Sequence, residues 1–151
     1  SGASVYIPSG AVGGIDALRA SRPSLEEVTI VSTKKPISLR GAPGFAKWEN
    51  VEITVPTIIF EGSASEAVPL FPANINVAAT ISMAGIGPDN TKVRVVADPD
   101  SPGNVHEINA VSKAGFFSFR FENTLDHKHH VGSTRVVFIK YNGGRILERP
   151  G

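Results

Sequence analysis

The chain of 151 residues contains no cysteine. A disulfide framework, a thiolate nucleophile and a cysteine-ligated zinc are therefore excluded. A chain without cysteine suits a reducing compartment, so the expectation is a cytoplasmic protein. An excess of either charge is lacking too: 15 Lys and Arg stand against 14 Asp and Glu, a formal net charge of +1. Basic residues do not run on beyond Lys34-Lys35. The sequence thus carries neither a nucleic-acid footprint nor a polybasic membrane surface. No apolar run approaches the ~20 residues that span a bilayer. Nor does the sequence open on the basic-then-apolar pattern of a secretory leader. What is present is a 41% hydrophobic and 19% charged composition, enough for one domain with a packed core.

Periodicity supplies the elements. The glycine-rich SGAVGG leads into a short helical pattern with Ile15 and Leu18 on one face, limited by Pro23. Glu26–Thr33 alternates Val28, Ile30 and Ser32 against Thr29, Val31 and Thr33, which predicts a strand. The Gly- and Pro-rich stretch from Pro36 reads as a surface loop with a short strand at Val51–Val55, and TIIFEG reads as another strand. Ser63 and Glu66 have capping-box spacing, with Pro69 and Pro72 breaking the helix they start. Asn74 is placed to cap a second helix, reaching Gly85, with Val77, Ala78, Ile81 and Gly85 on one face.

Three β-runs follow: TKVRVVAD, NVHEINAVSK and GFFSFRFEN, with SKAG as a hairpin turn between the last two. Phe117, Phe119 and Phe121 share a core face, while Phe116, Ser118, Arg120 and Glu122 share the other. The end reads as two strands around Asn142-Gly143. Gathered strands with helices set among them, and no steady βαβ rhythm, predict an α+β fold. Its sheet is mixed or antiparallel, with helices on one face.

The chemical signals are sparse. SGAVGG follows a strand and opens a helix, but its glycines do not fall as G-x-G-x-x-G, so a tight turn is the default. In HKHH, His127 and His129 share a face only if extended, and Lys128 repels a cation, so a solvated loop is favoured over a metal site. GNVHEINAV puts His106 in phase with Ile108 and Ala110. Such an imidazole is either a core histidine with one hydrogen-bond partner or a proton-transfer group at the floor of a cleft. One strand's spacing leaves both readings open.

Four stretches carry a resemblance: VYIPSGAVGGIDAL, IFEGSASEAVPLFPANINVAATISMAGIG, VRVVADP and NVHEI. In order, spacing and wording they resemble the C-terminal catalytic domain of L-aspartate dehydrogenases. The resemblance implies a two-domain enzyme with a Rossmann domain for the dinucleotide and an α+β domain for the amino acid. Residues 1–10 would be the last strand and crossover of the first, and 11–151 the second. Such a chain alone would lack the adenosine and pyrophosphate sites and be inactive.

The implied reaction converts aspartate, NAD(P)⁺ and water to oxaloacetate, ammonia and NAD(P)H through iminoaspartate, a step linked to NAD biosynthesis. By the same resemblance His106 is the acid–base group and Asn76 contacts the cofactor near the nicotinamide. Ser9, Gly10 and Ala11 would form the turn beneath it. The cofactor would be NAD or NADP, the substrate L-aspartate, and no metal would be needed. Candidates for the substrate's side-chain carboxylate are Arg40, Lys34, Lys35 and Arg120. The bare sheet face would serve a homodimer. One departure is the segment VGSTRVVFIKYNGGRILERPG, which reads as strand, turn and strand where the family continues into an Ala/Leu-rich helix. Competing readings are a non-catalytic oligomerisation module and a related dehydrogenase for another amino or hydroxy acid, such as homoserine.

Overall fold

The computed structural model describes residues 14–73, 75–113, 115–125 and 132–141, with 124, 125 and 132–141 described through their backbone. Strands β1 (Leu25–Lys34), β2 (Thr57–Ser63), β3 (Thr91–Ala97), β4 (Asn104–Ser112), β5 (Gly115–Leu125) and β6 (Gly132–Tyr141) form one sheet. Its order is β2-β3-β1-β4-β5-β6. Only β1 and β3 pair in parallel, and the other neighbours are antiparallel. The sheet is mixed, as the sequence predicts, and the fold is α+β.

Helices α1 (Ile15–Ser21), α3 (Ala64–Leu70) and α4 (Asn76–Ala84) contribute buried side chains to a single core, and α2 (Pro36–Leu39) adds Leu39. Alternation explains the sheet's part. Val28 and Ile30, Val93 and Val95, Ile108 and Ala110, and Phe117, Phe119 and Phe121 are all buried. Burial of such side chains contributes about 1.5–3 kcal/mol each, which makes this face the main stabilising layer. The open face instead carries ion pairs. Arg94 bonds Glu61, Lys92 bonds Glu27, and Arg120 bonds both Glu107 and Glu122. Glu61, Arg94, Val31, Glu107 and Arg120 lie in one register row across β2, β3, β1, β4 and β5.

The local chemistry follows the expected signals closely. Ser63 Oγ accepts from the Glu66 N–H and the Ser63 N–H donates to Glu66 Oε2, so the capping box is complete. Gly14, at the start of α1, has φ 82°, and a Cβ there would meet the Phe119 ring at 2.9 Å. At this glycine the positive φ and the nearby ring both favour a residue without a side chain, while the rest of SGAVGG lies outside the described residues. The SKAG hairpin forms with Ser112 paired to Gly115.

Four local expectations need correction. No strand forms at 51–55, which lies in bends and coil before β2. The presumed loop holds α2 and a 3₁₀ helix over Pro43–Trp48, each with a proline in its first turn where the missing N–H costs nothing. Pro69 does not break α3, which runs on to Leu70. The carbonyl its ring deprives of an N–H belongs to Ser65, an exposed residue open to solvent. The N-cap of α4 is Ile75 without a side-chain bond, one residue beyond the expected Asn74, which lies outside the described residues. The hairpin at Asn142-Gly143 and the HKHH segment also lie outside them. The strand expected before Asn142 is present as β6.

Candidate active site

The buried face of the sheet is apolar along most of its length and turns polar at one end. On β1 the inward phase Val28, Ile30 continues as Ser32 and Lys34. On β4 the same phase runs from Ala110 and Ile108 back to His106 and Asn104. Register sets Ser32 directly opposite His106, and Phe121 flanks His106 from β5. Ser32 is 0% exposed, His106 3% and Lys34 5%. Ser32 Oγ and His106 Nδ1 are 3.0 Å apart. Lys34 Nζ donates to Asn104 Oδ1 at 3.1 Å. His106 Nε2 has no hydrogen-bond partner among the described residues.

The electrostatics follow from burial. Desolvation first, and repulsion from Lys34 second, lower the His106 pKa from 6.5 to about 4. Desolvation lowers that of Lys34 from 10.5 to about 8. At neutral pH the imidazole is therefore neutral and the amine is mainly cationic. With Nδ1–H donated to Ser32 Oγ, Nε2 keeps a lone pair and can accept a proton.

Ser32→Ala should leave Nδ1 buried without its partner. A loss of ~1–3 kcal/mol in urea unfolding is expected, with mixed tautomers in the nitrogen NMR of His106. The acid constant gives a second expectation. A histidine lowered in the folded state stabilises fully above its unfolded value of 6.5, and that contribution is lost as pH falls through about 4. Unfolding free energies from urea melts at pH 7.5 and 4.5 should therefore differ by up to ~3 kcal/mol more in the parent than in His106→Gln.

The other expected site residues fall as follows. Asn76 is the first residue of α4, exposed, and its carboxamide has no partner among the described residues. It can donate and accept a hydrogen bond without charge. Ser9, Gly10 and Ala11 lie outside the described residues. Arg120 is committed to Glu107 and Glu122, while Lys35 and Arg40 are exposed. Sequence reasoning missed Ser32 and Asn104. Their signal was phase: a serine and an asparagine continuing otherwise apolar faces. A hollow lined by Thr29, Glu61, Gly62, Lys92 and Arg94 lies on the open face, away from His106. Its acid and bases are already paired, so it adds no chemistry.

Fold and site together define an α+β domain whose core face ends in a buried histidine bonded to a serine. Comparison with known proteins gives that class a family. Residues 16–133 match the family model described as "Aspartate dehydrogenase, C-terminal". L-aspartate dehydrogenase of Nitrosopumilus maritimus is 48% identical over 124 residues, covering 81% of this chain and 46% of the relative. That of Methanosarcina barkeri is 52% identical over 122 residues, covering 79% and 45%. The crystal structure of aspartate dehydrogenase from Thermotoga maritima superposes with a TM-score of 0.64 at 37% identity, covering 76% of this chain and 44% of that one. The chain belongs to the aspartate dehydrogenase family, through its C-terminal domain. It spans about half the length of the curated relatives it matches.

Proposed function

We propose that this chain is the substrate half of an NAD(P)-dependent L-aspartate dehydrogenase, with residues 11–151 as the α+β domain and 1–10 as the end of a dinucleotide-binding domain. The observation that carries this is the Ser32–His106 pair, a neutral imidazole held at the polar end of the core face. His106 Nε2 takes the proton that the substrate's α-ammonium must lose. Once that proton has passed to solvent, the same nitrogen takes a proton from the water that attacks the imine carbon and returns it to the nitrogen that leaves as ammonia. Ser32 keeps the ring in one tautomer throughout. Asn76 would hold the nicotinamide carboxamide, and Ser9, Gly10 and Ala11 would let the ring approach closely. When bound, NAD(P)⁺ accepts the hydride from the aspartate Cα.

The same reading includes a homodimer through the open sheet face, whose alternating acids and bases suit a self-complementary contact. Sedimentation as a monomer at high concentration would remove that part. The absence of cysteine favours a cytoplasmic location. The central test joins the chain to the dinucleotide-binding half of a relative and follows reduced nicotinamide by absorbance. Aspartate-dependent reduction with NAD⁺ or NADP⁺ is expected. Turnover of homoserine in place of aspartate, or none with either dinucleotide, would defeat the reading.

A further inference from the structure

We propose that the Lys34 ammonium and the Asn104 carboxamide form a seat for a substrate carboxylate beside His106. This rests on the reading of His106 as the proton-transfer group and names what holds the substrate there. Of the basic candidates, Lys34 alone lies in the inward phase that holds His106. Its ammonium has three N–H bonds, and among the described residues one acceptor, Asn104 Oδ1. The described ion pairs are all on the open face, and none includes Lys34.

Among the described residues, the groups that face it are neutral at pH 7. Ser32 and His106 share its face, and Ala97 faces it in register from β3. Asp98 follows Ala97, but its side chain accepts from the Asp100 N–H at 2.9 Å and only its backbone N–H reaches Lys34, at the carbonyl. A buried ammonium with only a neutral partner destabilises the fold. Its lowered pKa, about 8, expresses that strain. An arriving carboxylate supplies the missing charge and two further acceptor positions. It also cancels part of the repulsion that Lys34 exerts on His106, so the imidazole becomes a stronger base as substrate lands.

Succinate is the probe, being a dicarboxylate of aspartate's carbon length without the amino group. Titrated into the 151-residue chain carrying labelled histidine, it should shift the His106 ring signals, assigned by their loss in His106→Gln. Lys34→Met should weaken its binding ~10–100-fold, the share of a charge-assisted pair. The same variant should unfold at a higher midpoint, because an apolar chain of similar length replaces an unneutralised buried cation. That rise shows the variant folded. Unchanged succinate affinity in Lys34→Met, or a parent that takes up no succinate, overturns the seat. Since this readout needs no turnover, its failure is separate from failure of the His106 assignment, which is read in kcat.

Discussion

His106→Ala, in the chain joined to a dinucleotide-binding half, should lower kcat for aspartate by ~10²–10⁴, the usual contribution of one general acid–base group. Dinucleotide affinity should stay close to that of the parent, because the imidazole lies in the sheet's core face and bonds Ser32. Asn76→Ala should behave in the opposite order. Its exposed carboxamide opens α4, so the loss falls first on dinucleotide binding and second on turnover. Steady-state deamination and dinucleotide titration on both variants separate the two roles. An alanine variant at 106 that turns over aspartate within twofold of the parent would return the histidine to a structural part.

The second large effect is expected at Phe121. Its ring is 1% exposed, pairs with His106 across β4 and β5, and stacks on Phe119 with centroids 6.3 Å apart. Phe121→Ala should cost ~3–5 kcal/mol in denaturant unfolding, from lost burial plus the cavity left behind. It should also act on the histidine. Water admitted beside the ring relieves the desolvation that lowers its pKa to about 4, so the imidazole should titrate closer to 6.5. Phe121→Leu keeps most of the volume and should cost under ~1.5 kcal/mol. Equal titration of His106 in parent and Phe121→Ala would show that the aromatic wall does not set its environment.

Much of this architecture was legible because local chemistry and tertiary demand agree. The capping box, the two-residue hairpin and the three phenylalanines on one face each follow from neighbours in sequence. The failures are places where context overrode a local rule. Pro69 stays helical where the carbonyl it deprives of an N–H belongs to an exposed residue, and the prolines of the 36–48 segment open turns of helix instead of ending them. At the site, His106 was visible by its phase. Its partner was not, since Ser32 lies 74 residues away and only strand register brings the two together. Lys34 was visible as a base but not as a buried one, because lysine at a strand's end is ordinarily solvated.

That same register carries a consequence for how the chain folds. β1 lies in the interior of the sheet, yet its neighbours β3 and β4 begin only at Thr91 and Asn104. Both its edges therefore wait, unpaired, until distant segments arrive, and closing such long loops is slow. Folding on a millisecond-to-second scale is the consequence, with the open edges of β1 exposed to pairing with other chains meanwhile. The histidine acquires its serine only when β1 and β4 have paired, so in refolding its ring reports that closure.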